Sequence, residues 1–342
     1  MAPKFFLAIT FVAAIVFTTS LSKAADDDFY RGKRVHFIVM TSPGGGYDTY
    51  ARAIARHLGK HIPGNPSVIV QNMPGAGGLI ATHHLFNAAK RDGLTIGMVN
   101  SGIIVWQAVG MEQIRYDTKK FGWIGAPGEA FPICAIMGFT GLKNLKEVLG
   151  SEKTLNFASA GTSTYQQPML LKTLLEANVK VVEGYTGTSG IRAALQRKEA
   201  DGACWQWDSM KATAKEMLEA KGDDRMIPFL MEGKADDPEV RDLPQYREVI
   251  KGEDNIALFD AWMSQYRVSR PLVVPPNMPK SRLQVLRTAL KRTLEDPEFQ
   301  AMANKMGLEI THIPGERIEK YVSRTLAISP AVKDKLRPIV IR

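Results

Sequence analysis

The stretch that most limits what this chain can become is Val35-His36-Phe37-Ile38-Val39-Met40-Thr41-Ser42-Pro43-Gly44-Gly45-Gly46-Tyr47-Asp48-Thr49-Tyr50-Ala51-Arg52. Apolar β-formers stop at Pro43, three glycines follow, and Asp48 stands before Ala51, Ile54, Ala55 and Leu58 at helical spacing. Such a strand, glycine turn and helix start lets the backbone approach a ligand, and the unpaired N–H groups of the first helical turn favour an anion. A tight turn with Asp48 as helix cap accounts for the same residues without any ligand. Nucleotide fingerprints do not fit. Counting from Gly44, the sixth position is Thr49 rather than glycine, and no Gly-Lys-Ser/Thr closes the turn.

The N-terminus has a separate character. Lys4 precedes an uncharged apolar run from Phe5 to Phe17, and Ser22-Lys23-Ala24 ends in small residues, the pattern of a secretory signal peptide over residues 1–24. The run is shorter than the roughly 20 residues a membrane span requires. A periplasmic location is therefore expected. The formal charge of +9 falls to +7 without Lys4 and Lys23, and the remaining Lys and Arg are scattered rather than massed with stacking aromatics, which disfavours nucleic acid and suits small anions. Cys134 and Cys204, the two cysteines, lie in apolar strand-like stretches where a disulfide and a pair of buried thiols are both natural. No metal site or cofactor fingerprint is present. His57 and His61 lack the intervening glutamate of a zinc helix and read as surface residues of a helix end.

Further strand, glycine turn and helix units recur. Ser67–Asn72 leads to Met73-Pro74-Gly75-Ala76-Gly77-Gly78, and Leu94–Val99 ends at Asn100-Ser101-Gly102. Thr154–Ser159 leads to Ala160-Gly161-Thr162-Ser163-Thr164, and Val179–Val182 to Gly184-Tyr185-Thr186-Gly187-Thr188. In open α/β sheets such turns line the ligand edge beyond the carboxyl ends of the strands. Extended structure is expected at Trp262–Val274, and helices at Met210–Leu218 and Lys280–Leu294. The helical tail is too small for its own core and should pack back on the first domain. The expected organisation is domain 1 from 25–130 and 266–342, and domain 2 from 131–265, with crossing strands between them as natural hinges.

Ser42-Pro43-Gly44-Gly45-Gly46-Tyr47-Asp48, then Asn72-Met73-Pro74-Gly75-Ala76-Gly77-Gly78, then Asp92-Gly93-Leu94-Thr95, resemble the Bug/TctC family of solute-binding proteins that serve tripartite tricarboxylate transporters. Ala158–Ser163, Tyr185–Ser189 and Arg270–Pro279 fit the same family; Gln71, Arg91 and Gly184 depart from its pattern. The resemblance implies a two-lobed α/β periplasmic binding protein of the type II, Venus-flytrap kind, each lobe a mixed sheet flanked by helices. It implies capture of a small carboxylated solute, delivery to large and small permease subunits, and neither chemistry nor cofactor; a monomer is expected. By the resemblance, one carboxylate sits among Ser42, Gly44, Gly45, Tyr47, Gly75, Ala76 and Gly77, with Ser101 beside them. Ser159, Gly161, Thr162, Ser163, Thr186, Gly187 and Thr188 close from the other lobe.

Three residues keep two readings. Asp48 is a better helix cap than anion contact, because a carboxylate repels a bound carboxylate. Trp205 and Trp207 share one side of a strand, either as core or, for one or both, lining the cleft and stacking on an aromatic acid. Asp208 either accepts a solute amine or hydroxyl or caps the following helix. The rival functions are a receptor for a membrane sensor and a secreted α/β hydrolase using Ser159 or Ser163, for which His312 is the available base.

Overall fold

The computed structural model describes residues 29–161, 163–233 and 237–341, so the expected leader and Thr162 lie outside the described residues. The strands are β1 Arg34–Val39, β2 Ser67–Asn72, β3 Thr95–Met98, β4 Gly122–Ala126, β5 Pro132–Met137, β6 Leu155–Ala158, β7 Val179–Val182, β8 Gly202–Gln206, β9 Met226–Met231, β10 Leu272–Val274 and β11 Ile313–Pro314. They form a six-stranded sheet in the order β11-β4-β10-β3-β1-β2 and a five-stranded sheet in the order β7-β6-β8-β5-β9.

Burial on both faces explains why the central strands read as apolar runs rather than alternations. Val35, Phe37, Ile38 and Val39 of β1 are buried, and every residue of β5 and β8 is. Each such large side chain contributes roughly 1.5–3 kcal/mol of burial. β1 runs parallel to β2 and β3, while β10 runs antiparallel to β3 and β4. In the other sheet β6 is parallel to β7 and β8, and β5 is antiparallel to β8 and β9. Both sheets are therefore mixed, and the first is discontinuous in sequence: the chain leaves after β4 and returns at β10. The two crossing segments pair with each other, Ser269 N–H donating to Gly128 O at 2.7 Å and Ala130 N–H to Tyr266 O at 2.9 Å.

Several expectations change. Trp262 belongs to the helix Glu253–Met263, followed by a 3-10 turn at Ser264–Arg267, so extended structure begins only at Val268, with the Ser269 bridge to Gly128 and then β10. The expected helix at Met210–Leu218 is two pieces, Trp207–Thr213 and Lys215–Glu219, broken at Ala214. The tail does return to the first sheet through β11, but its last helix, Pro330–Val340, also packs on Ser163–Leu174 of the second lobe and on Glu253–Met263. His57 is 7% exposed, packed edge-on against Phe299 at 5.6 Å, because it lies on the inner face of its helix.

Cys134 and Cys204 are directly opposite each other on β5 and β8 and form a disulfide, with 4.1 Å between Cα atoms. That register, which needs the antiparallel pairing of strands 70 residues apart, decides between the two readings the sequence leaves open.

Candidate functional site

The glycine turns after β1, β2, β6 and β7 converge on one cavity of about 240 Å³ between the lobes. Its first-lobe wall is Met40, Thr41, Gly45–Tyr47 and Pro74–Gly78; its second-lobe wall includes Gly161, Ser163, Thr164, Gly184–Thr188, Gln206 and Ser209. Residues 75–78 all adopt positive φ, from 45° at Ala76 to 129° at Gly75, which is why three of the four are glycines. Their backbone therefore turns sharply beneath the cavity instead of covering it with side chains.

The two walls touch. Gly46 N–H donates to Thr188 Oγ1 at 3.4 Å, and Arg192 Nη2 donates to Gly44 O at 3.1 Å. A Cβ at Gly46 would lie 2.0 Å from Ser209 Oγ, so the glycine is what permits this approach. Among the described residues lining the cavity none is charged, and none is a histidine. Two hydroxyls there, Thr41 Oγ1 from the first lobe and Ser209 Oγ from the second, are buried without a hydrogen-bond partner. Buried polar groups are almost always paired. Tyr47 presents a neutral phenol: burial, opposed by the nearby Arg270 charge, pushes its pKa up to about 12.

Of the sequence-predicted residues, Gly45, Tyr47, Gly75, Ala76, Gly77, Gly161, Ser163, Thr186, Gly187 and Thr188 line this cavity. Ser42 and Gly44 stand beside it. Ser101 is buried and hydrogen-bonded to the Tyr47 phenol. Ser159 is fully buried, its Oγ accepting the Gly161 N–H at 3.0 Å, so it shapes the turn instead of facing the cavity.

Asp48 is corrected in its role. Gly45 is the residue that precedes the helix Gly46–Leu58, and it makes no side-chain cap. Asp48 instead reaches back to accept the Gly44 N–H at 2.9 Å, and it also accepts Asn72 Nδ2 at 2.8 Å and Arg52 Nε at 2.9 Å. It buckles the first glycine turn to β2. Burial raises its pKa, but the Arg52, Gly44 and Asn72 donors together outweigh that and hold the carboxyl below its ordinary range.

Trp207 is fully buried in the second-lobe core with Trp205, so it does not stack in the cavity. Gln206, between them on the opposite face, lines it; strand alternation, with both tryptophans assigned to the core, was the available signal. Asp208 takes neither expected role. It forms a buried ion pair with Arg270, Nη1 to Oδ2 at 2.7 Å and Nη2 to Oδ1 at 3.1 Å, and also accepts the Tyr50 hydroxyl. Gly46 lines the cavity with the rest of the first glycine turn, whereas Thr41, Thr164 and Ser209 were missed as single-residue neighbours of predicted positions. His312 lies beside Gly125 of the first sheet, away from the serines it would have to activate.

A cleft between two mixed α/β sheets, lined by glycine turns and crossed by two paired connecting segments, is the architecture of a two-lobed solute-binding protein. The tripartite tricarboxylate transporter family receptor matches residues 50–336, and the chain belongs to that family. The periplasmic binding protein BugD superposes with a TM-score of 0.72 at 20% identity, covering 91% of this chain and 98% of that one. MatC of Rhodopseudomonas palustris with bound malate gives 0.70 at 21% identity, covering 89% and 99%. A further R. palustris protein with adipate gives 0.71 at 17% identity, covering 89% and 97%. A UPF0065 protein of Bordetella bronchiseptica is 27% identical over 161 residues, 46% of this chain; the chain spans about half the length of that relative, 47%.

Proposed function

We propose that this chain captures a small carboxylated solute in the cavity between its lobes and passes it to the large and small membrane subunits of a tripartite tricarboxylate transporter. It works in the periplasm, as a monomer, after removal of the leader at residues 1–24. The observation that carries this reading is the pair of unpartnered hydroxyls, Thr41 Oγ1 and Ser209 Oγ, on opposing walls of an uncharged cavity. A carboxylate oxygen bridging the two walls satisfies both. Neutral donors also suit release, since each contributes only about 0.5–1.5 kcal/mol net. The malate and adipate carried by two structural neighbours lend support of the same chemical kind, and the Cys134–Cys204 disulfide fits an oxidising compartment.

Solute turnover has no place in this scheme: the cavity serines Ser163 and Ser209 have no histidine, carboxylate or lysine among the described lining residues to serve as a base. The test is a thermal-shift series of the mature protein against mono-, di- and tricarboxylates, in which a ligand at 100 times its Kd adds about 2.7 kcal/mol. A panel in which no carboxylate raises Tm would defeat the proposal.

A further inference from the structure

One backbone donor is left open at the cavity wall, and a cation stands behind it. Gly45 is buried and lines the cavity, yet no described residue accepts its N–H. The carbonyl of the same peptide unit, Gly44 O, accepts Arg192 Nη2 from the second lobe at 3.1 Å. That peptide is trans, so its C=O and N–H point in opposite directions, and a grip on the carbonyl aims the N–H away from Arg192. Packing does not hold this unit in place: Gly44 has φ 78°, and a Cβ there would meet nothing within 4 Å. Hydrogen bonds hold it instead, Asp48 Oδ2 on the Gly44 N–H at 2.9 Å and Arg192 on the Gly44 carbonyl.

The second-lobe helix Gly187–Gln196 places Arg192 for this contact. Thr188, four residues earlier and so on the same helix face, accepts the Gly46 N–H at 3.4 Å, and the glycine turn is thus held at two points by one face. No described carboxylate pairs with the guanidinium: burial alone acts on its pKa, pushing it below the ordinary arginine value, and Nη1 is buried without a partner. The uncompensated charge falls on the peptide it touches. A cation at a carbonyl oxygen polarises the peptide and strengthens its N–H as a donor. We propose that Arg192 is a positioning residue for solute capture, gripping Gly44 O as the lobes meet so that the Gly45 N–H is aimed and polarised toward the solute carboxylate. This inference rests on the carboxylate reading above and adds a residue outside the cavity lining. Thr41 Oγ1 and Ser209 Oγ, also unpartnered, line the same cavity and share the acceptor.

Because Arg192 acts through a peptide, the measurement must read that peptide as well as affinity. The mature chain is prepared with isotope-labelled glycine, and its Gly45 amide resonance is identified by its loss in Gly45→Ala. The acid titrated is the member of the thermal-shift panel, which includes malate, adipate, citrate and benzoate, that raises Tm most. Saturation is expected to move the wild-type Gly45 amide proton downfield. Arg192→Met is expected to leave the solute-free Tm within a few degrees, to weaken binding by about 10-fold in calorimetry, and to shrink that movement. Arg192→Lys restores a charged donor and is expected to recover most of both. A wild-type Gly45 amide that saturating acid leaves unmoved overturns the donor, and Arg192→Met binding as tightly as the wild type overturns the positioning. Weaker binding with an undiminished Gly45 movement gives Arg192 a merely structural role and overturns the inference as well. In each of these cases the carboxylate reading stands. If no acid of the panel binds, both fall.

Discussion

Asp208 and Arg270 meet between the second lobe and the returning hinge segment, 2.7 Å apart and with 2% and 1% of their side chains exposed. Arg270 holds this position with a left-handed backbone, φ 54°, that a non-glycine residue adopts at a cost. Two charges and a strained residue are thus concentrated where the lobes join. Removing one partner strands a buried charge, so Asp208→Ala is expected to lower unfolding stability by about 3–5 kcal/mol. Replacing both with apolar residues of similar volume is expected to cost much less. Urea unfolding of the two single variants and the double variant measures the difference; equal losses in all three contradict the pairing.

The glycine at the head of the first helix gives a prediction about closure rather than stability. Gly46 has negative φ and begins a helix, so alanine suits its backbone, yet the new Cβ would fall 2.0 Å from Ser209 Oγ and 2.6 Å from Ser209 Cβ. Gly46→Ala is therefore expected to leave the Tm of the solute-free protein within a few degrees while weakening solute binding by about 10-fold or more. Calorimetry with the tightest acid of the thermal-shift panel checks it, and unchanged affinity contradicts the contact.

Much of this architecture was legible because it is local. The apolar run of β1, the glycines after it and the helical spacing of Ala51, Ile54 and Leu58 belong to one short stretch, and positive φ at 75–78 restricts the sequence directly. What was not legible depends on partners distant in sequence. Asp208 and Arg270 are separated by 62 residues, and no periodicity near Asp208 announces an arginine. Asp48 read as a cap because its own neighbours suggested it; its bond to Asn72, 24 residues away, appears only when β1 and β2 are paired. The site was read one residue off at Ser42 and Asp208, where Thr41 and Ser209 line the cavity, since a loop offers no period to say which of two adjacent side chains faces inward.

The disulfide closes a loop of 70 residues that contains most of the second sheet. Chain entropy assigns such a cross-link about 4 kcal/mol, less any strain in the folded state. Replacing both Cys134 and Cys204 by alanine is expected to reduce urea stability by about 2–4 kcal/mol. Dithiothreitol should lower the wild type similarly and leave the variant unchanged; a wild type insensitive to reductant under unfolding conditions would contradict this contribution.

Acid should weaken the fold through its histidines before its carboxylates. Burial first, and the Lys60 charge second, hold the His57 imidazole below its ordinary pKa, and burial lowers His83 and His312 in the same direction. In the unfolded chain these rings take up protons near pH 6.5, while in the folded chain they resist until lower pH. Stability is therefore full above about pH 6.5 and declines as pH falls below it, levelling only once the folded rings protonate. Asp48 has the opposite charge but the same sense at lower pH: its depressed carboxyl stabilises above about pH 4, and that contribution is lost as pH falls further. His57→Phe keeps an aromatic contact with Phe299 and removes one titrating ring, so its Tm should fall less than the wild type's between about pH 7.5 and 5.5. Parallel Tm curves for the two proteins across that interval rule out a contribution from His57.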